Sequence, residues 1–346
     1  MKDVKLLDKI VGDEHPCYVV AEIGGAFTNF EEAKRLIDSG LEIGVDAIKF
    51  QTLEAETITT KDNYFGFEAT GNVRQYDVFK HFELSKDLQK QVVDYARNRK
   101  IPIFSAPSHI KDLEIMKEMD LDIYKIGSDL ACHVPLLKKI ATFDKPIILS
   151  TGMCDLEEVR ESVNAIKDQG NEKIILMHCV SNYPSSIDEL NLNAIETMKK
   201  EFDIPVGFSD HTIGINSTVA AANMGANIIE RHFRDIRNTP GPDDIHSLLK
   251  EDFERMIKNI RDIEKARGTG IKKPTDSEKK NLDTNRVSII AMKEIPKGVE
   301  ILEDMIDIRR PGTGILPINF EKIIGMKTCC TIKAEEPLTW DMIETD

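Results

Sequence analysis

The stretch Pro146-Ile147-Ile148-Leu149-Ser150-Thr151-Gly152-Met153-Cys154-Asp155 carries the pattern on which most of the chain is built. Three aliphatic residues end on a hydroxyl, a glycine marks a turn, and Asp155 stands three residues before Glu158 at the spacing of a helix capping box. Val159, Val163 and Ile166 then recur at helical intervals. An apolar run without alternation suits a strand buried on both faces, as a parallel strand covered by helices is. The stretch therefore reads as strand, polar turn, helix.

The same reading extends in both directions. Further strands are predicted at Cys17–Ile23, Asp46–Gln51, Ile101–Ser105, Ile123–Ile126, Ile174–His178, Pro205–Ser209 and Ile228–Phe233. Asn29 caps a helix with Glu32 three residues on, Ala33, Leu36 and Ile37 form its apolar face, and Gly40 is its expected stop. Ser85 precedes Leu88, Val92 and Ala96 in the same way. Eight repeats of strand and helix predict an α/β fold, a (β/α)8 TIM barrel over residues 1–266. The long gap between Gln51 and Ile101, with Asp62–Gly66, Tyr76 and Phe79, reads as an enlarged loop over the barrel top. Arg267-Gly268-Thr269-Gly270 and the polar run after it read as a linker over 267–285. Residues 286–346 alternate short apolar pieces with turn residues, as in Arg310-Pro311-Gly312, and predict a small, mostly β domain.

Composition narrows the function. The chain has 346 residues, 41% hydrophobic and 31% charged, enough for a sizeable core. Its net charge of −14 argues against a nucleic-acid or anionic-membrane surface, so an anionic substrate must be met by locally placed lysines and arginines. No run approaches the roughly 18 apolar residues of a membrane span, and the first residues lack a signal peptide's apolar stretch. Six cysteines without a Cys-x-x-Cys pair are neither a disulfide framework nor a zinc knuckle, and a reduced, cytoplasmic setting is expected.

Chemistry in such a barrel gathers at the C-terminal ends of the strands. These ends carry Glu22, Lys49 with Gln51, Ser105, Lys125 then Ser128, Ser150, His178, Ser209-Asp210-His211, and Glu230 with His232. Singly, each has an ordinary explanation: a serine caps a helix, a lysine pairs or snorkels, a histidine fills a turn. Lys49 and Gln51 share a strand face, as do Glu230 and His232, so inward faces would bring them to one cavity. His178 beside Cys179 is discounted as a dyad, since adjacent strand residues face opposite ways. His15, His81, His109 and His133 are expected in loops or at the surface. Lys49, Lys125, Ser128, Ser150 and Ser209 suit a phosphate dianion. His211 and His232 suit a divalent metal with open positions, and nitrogen ligands favour manganese, cobalt or zinc over calcium. Glu22 and Glu230 are placed to orient a histidine or handle a proton.

Ala21-Glu22-Ile23-Gly24, Lys49-Phe50-Gln51-Thr52, Tyr124-Lys125-Ile126-Gly127-Ser128, Leu149-Ser150-Thr151-Gly152-Met153, Ser209-Asp210-His211-Thr212, Glu230-Arg231-His232-Phe233, Pro240-Gly241-Pro242-Asp243 and Arg310-Pro311-Gly312 follow one another along the chain. In this order they resemble the sialic acid synthase family, which condenses phosphoenolpyruvate with an N-acyl hexose to make nonulosonic acids. The tail is similar to that family's antifreeze-like SAF domain. The resemblance implies a metal on His211 and His232, manganese first, with magnesium or cobalt as alternatives. It implies phosphoenolpyruvate held by Lys49, Gln51, Lys125, Ser128, Ser150 and Ser209, and sugar contacts from Tyr183, Asp243 and Arg310. Arg310 would reach the partner subunit's barrel, which implies a domain-swapped homodimer. The implied reaction joins the enol carbon to the metal-polarised aldehyde; water adds at C2, and phosphate leaves. Glu22, or Glu230 in its stead, would handle that water.

Three stretches depart from the family pattern. Gly25-Ala26-Phe27 replaces a run ending Asn-His, Ser105-Ala106-Pro107 replaces Ser-Thr-Pro, and Asp129-Leu130 replaces Gly-Glu, leaving Asp129 as the nearest acid. All three fall on the sugar or phosphate surroundings, so the acceptor stays open between N-acetylmannosamine and diacetylated 6-deoxy hexoses. Two other readings stand beside this one. Condensation with a phosphorylated aldose would need a second basic cluster, and none is visible. A non-catalytic sugar-binding barrel would not need the retained lysines and histidines.

Overall fold

A computed structural model describes residues 2–66 and 73–344. Residues 67–72 of the expected barrel-top loop, residue 1, and residues 345–346 of the assigned tail lie outside the described residues. The chain divides into two compact units, Met1–Gly268 and Thr269–Asp346.

The first unit opens with a hairpin of β1 (Val4–Leu6) and β2 (Lys9–Val11). Eight parallel strands follow: β3 (Tyr18–Glu22), β4 (Ala47–Thr52), β5 (Ile103–Pro107), β6 (Tyr124–Ile126), β7 (Ile147–Ser150), β8 (Ile174–Cys179), β9 (Val206–Asp210) and β10 (Ile228–His232). They close into a barrel in which β10 pairs with β3. All eight expected strands are present, in the expected order. The hairpin is an addition. Its strands are only three residues long and interleaved with charges, too short for a periodicity to show. Val4, Leu6 and Val11 pack with Tyr18, Val20, Phe104, Ile175 and Met177, the inward apolar layer of the barrel.

A larger apolar layer lies between strands and helices. Asn29 accepts the Glu32 amide and starts the helix Phe30–Ile43, whose Leu36 and Ile37 are fully buried. Burying each contributes on the order of 2 kcal/mol. Gly40 does not stop this helix. It lies within it, where an added Cβ would stand 2.7 Å from Ile48 Cδ1, so glycine there serves close helix–strand packing. The stop is Gly44, in the left-handed conformation at φ 76°. The helix Leu156–Lys167 begins with the expected capping box of Asp155 and Glu158. The gap between β4 and β5 holds two additional helices, Ala55–Ile58 and Gln75–Phe82, before the barrel helix Lys86–Asn98.

The second unit begins with two four-residue helices, Asp276–Lys279 and Leu282–Asn285, within the stretch read as a linker. Its sheet pairs β11 (Ser288–Ala291) with β12 (Ile306–Arg309), antiparallel. Ile289, Ile295, Ile301, Ile315, Ile332 and Leu338 form a separate core. Arg310 follows β12 and is exposed on this unit.

Candidate active site

Alternation along the strands decides which side chains enter the barrel. In the parallel register Glu22 faces Lys49 on one side and His232 on the other, and Ser209 faces Glu230. Glu22, Lys49, Lys125, Ser150, Ser209 and Glu230 are all buried. Lys49 Nζ lies 2.6 Å from Glu22 Oε2 and 3.9 Å from Glu230 Oε1. Lys125 Nζ donates to Ser150 Oγ at 2.6 Å and lies 3.6 Å from Glu230 Oε1, which also accepts from Ser209 at 3.3 Å. Ser128 Oγ accepts the Gly152 amide at 3.0 Å. Gln51 donates to Glu22 Oε1 at 3.4 Å, beside the Gly24 amide at 2.6 Å. Thus two ammonium groups and three hydroxyls from four strands and one loop line one cavity of about 440 Å3.

Imidazoles line the same cavity. The ring centres of His211 and His232 are 5.5 Å apart, and Tyr183 lies 4.3 Å from His211. His211 Nδ1 is 3.0 Å from the Val180 carbonyl, so that nitrogen donates and Nε2 keeps its lone pair. Asp243 Oδ2 is 3.6 Å from His232 Nδ1. Gly241 sets the path of this segment: a Cβ there would stand 2.1 Å from the Gly25 carbonyl oxygen.

Burial and charge then set the protonation states. Burial pushes Glu22 up to about 8, reinforced by the Glu230 charge and opposed by Lys49. Burial acts on Glu230 in the same direction, but Lys125 and Lys49 overcome it and hold that carboxyl below its ordinary value. Burial lowers Lys125. It also lowers His211 to about 4 and His232 well below its ordinary value, so both rings are neutral at neutral pH. Burial and the Asp244 carboxylate raise Asp243 to about 7.

The outward residues of the same two motifs are structural. Arg231 is fully buried between β9 and β10 and lies 3.0 Å from Asp210 Oδ2. It donates to the carbonyls of Asp210 and Gly214 at 2.8 Å and also to that of Thr212. Asp210 accepts from the Thr212 amide at 2.9 Å and from Ser217 at 2.7 Å. In Ser209-Asp210-His211 and Glu230-Arg231-His232, every second residue enters the cavity, and the residue between ties down the loop that carries it.

Two expectations from the strand ends resolve by this parity. Ser105 does not reach the cavity; it faces outward, 2.7 Å from Thr52 Oγ1, because Phe104 and Ala106 take the inward positions of β5. His178 is outward too, bonded to the Leu190 carbonyl at 2.6 Å, while its neighbour Cys179 points in and lies 3.0 Å from Ser128 Oγ. Asp129 lines the cavity and is exposed, and Phe27 and Ala106 line it as well.

Two features escaped the sequence reading. His246 is buried with its ring centre 4.8 Å from His232; it lies on no strand, and its only signal is an Asp-x-x-His spacing from Asp243. The enlarged loop supplies an apolar wall of Leu53, Ile58, Phe65, Val78, Phe79 and Phe82. Their scattered spacing hides that shared face.

Residues 36–272 match the NeuB family and residues 286–344 the SAF domain. The chain is 35% identical over 342 residues to the N,N'-diacetyllegionaminic acid synthase of Legionella pneumophila, covering 96% of each chain. It is 30% identical over 329 residues to a pseudaminic acid synthase of Campylobacter jejuni, covering 93% of this chain and 95% of that one. A solved structure of the N-acetylneuraminic acid synthetase of Leptospira borgpetersenii, in complex with citrate, superposes with a TM-score of 0.71 at 28% identity. That likeness covers 81% of this chain and 94% of the other.

Proposed function

The chain belongs to the NeuB family and is an enzyme, and from that premise we propose that it condenses phosphoenolpyruvate with an N-acyl hexose to give a nonulosonic acid and inorganic phosphate. The observation that carries the reading is one cavity lined by two buried ammonium groups and two buried imidazoles. Lys49 and Lys125 bind the phosphate and carboxylate of phosphoenolpyruvate, with Ser128, Ser150, Ser209 and Gln51 as polar partners.

The family implies a divalent metal, and the residues fit one. His211 holds its Nδ1 proton against Val180 and presents Nε2, the arrangement that orients ligating histidines. Asp129, Glu230 and Asp243 line the cavity beside Lys49 and Lys125, and a dication would add positive charge against these carboxyl groups. His211 and His232 would hold the ion, with manganese the first candidate, and it would supply Lewis-acid polarisation of the sugar carbonyl.

The chain's own groups divide the remaining work. Glu230, held ionised and with Oε2 meeting no hydrogen-bond partner among the described residues, takes a proton from the water that adds at C2. Glu22, pushed up to about 8 by burial, is the second carboxyl beside it and relays a proton in that step. Lys125 stays with the phosphate as it departs. Tyr183 and Asp243 contact the sugar, and Arg310 of a second copy completes that half in a domain-swapped homodimer. The apolar wall supports a hexose that has exchanged hydroxyls for methyl and acetamido groups, so the diacetylated 6-deoxy acceptor is preferred over N-acetylmannosamine.

Phosphate release from phosphoenolpyruvate with manganese tests the assignment. A diacetamido-trideoxyhexose should be turned over with the higher kcat/KM, and N-acetylmannosamine more weakly. Release with neither sugar would refute the condensation, and a preference for N-acetylmannosamine would refute the acceptor.

A further inference from the structure

We infer that His246 supplies a third imidazole to the metal, making a nitrogen-rich site that favours cobalt, iron or zinc over magnesium. The inference rests on the metal reading above and extends it to a residue outside the strand-end motifs.

His246 is 1% exposed, and neither of its ring nitrogens meets a hydrogen-bond partner among the described residues. Buried polar groups are normally paired, so two orphaned nitrogens on one ring call for an explanation. The ring is aimed at the right place. One ligand atom each from His232, Asp243 and His246 all lie within 4.8 Å of one another. His246 Nε2 is 3.7 Å from Asp243 Oδ1, while His232 Nδ1 is 3.6 Å from the other oxygen of that carboxylate. The ring of His211 stands beside that group, its centre 5.8 Å from that of His246 and 5.5 Å from that of His232. Metal–nitrogen distances near 2.1 Å would put neighbouring ring centres roughly 5 Å apart, which matches the three rings.

The competing structural role is a neutral ring packed on Tyr183, 5.4 Å away. It leaves both nitrogens without a hydrogen bond among the described residues, Nε2 having only the Asp243 carboxyl at 3.7 Å, and gives no reason for an imidazole rather than an aliphatic side chain. Chemistry separates the two roles. Imidazole is a borderline donor, so a third one raises affinity for cobalt, iron and zinc more than for magnesium or manganese.

The test uses the full-length protein, Co2+ and Mn2+. Pulsed EPR of the manganese-loaded wild type should count three coupled imidazole nitrogens, and His246→Phe and His246→Gln should each count one fewer. Both variants should lose about 10-fold or more in cobalt affinity by equilibrium dialysis, and less in manganese affinity. Thermal unfolding in chelator reports whether each variant is folded, and the wild-type nitrogen count needs no variant. Two nitrogens in the wild type, or unchanged cobalt binding in a folded variant, would overturn the role of His246 while leaving the metal reading intact. A wild type that binds neither ion would overturn both.

Discussion

Lys125→Met is the most informative substitution. Methionine keeps length and apolar bulk and removes only the ammonium, which is 2% exposed and sits 2.6 Å from Ser150 Oγ and 3.6 Å from Glu230. If the ammonium binds an anionic substrate, its loss removes a charge-assisted contact worth about 1.5–3 kcal/mol, or roughly a 10- to 150-fold rise in the Kd for phosphoenolpyruvate. If it serves only as counter-ion to Glu230, the effect is one of stability. Of the two lysines Glu230 then keeps Lys49, at 3.9 Å, and becomes a partly compensated buried charge. The double variant Lys125→Met with Glu230→Gln separates the two roles. It removes the stranded charge and should restore thermal stability, but it should not restore phosphoenolpyruvate binding measured by calorimetry. Recovery of wild-type affinity in the double variant would refute the reasoning, and so would a Kd unchanged in the single variant.

Other expectations follow from the same geometry. Arg231→Met strands Asp210 in a site where neither partner is exposed, and should cost about 3–5 kcal/mol, seen as a melting point lower by roughly 10 °C; a change under 2 °C would show that the network does not stabilise the barrel. Acid should withdraw the part of the metal-free fold's stability that its buried neutral histidines supply. His178, His211 and His246 are held neutral by burial, with His211 down to about 4 and His246 to about 3, against an ordinary 6.5. Below pH 6.5 the unfolded chain therefore takes up protons at these rings that the folded one refuses, and their contribution to stability falls with pH through 4. Glu22 and Asp243, raised to about 8 and about 7, act in the opposite direction, so the histidine effect is read as a difference: the urea midpoint of the wild type minus that of His246→Phe should decline from pH 7 through 5.5 to 4.5, and a constant difference would contradict the burial argument. Mixing inactive Arg310→Ala and His211→Ala proteins under conditions that exchange subunits should regain part of the activity, because a swapped dimer assembles one intact site; no recovery after demonstrated exchange argues against the crossing.

Much of the barrel was legible because parallel strands must be apolar on both faces, so Ile147-Ile148-Leu149 and Ile174-Ile175-Leu176 stand out without alignment. Capping chemistry is equally local, which is why Asn29, Ser85 and Asp155 were read correctly. Gly40 misled because a glycine signals a stop only through its own backbone, whereas here it answers to Ile48 across the helix–strand interface.

By itself the sequence determined which groups could share a cavity, since the two-residue period of a strand puts Lys49 with Gln51 and Glu230 with His232 whatever the rest of the chain does. Only the tertiary structure decided how those groups act on one another. Closing β10 onto β3 brings Glu22 between Lys49 and His232; the burial that follows raises Glu22, while Lys125 and Lys49 keep Glu230 charged. It also decided that a loop histidine, His246, belongs beside two strand-end residues. Chain folding in three dimensions, rather than any spacing along the chain, carries a loop back over a strand end.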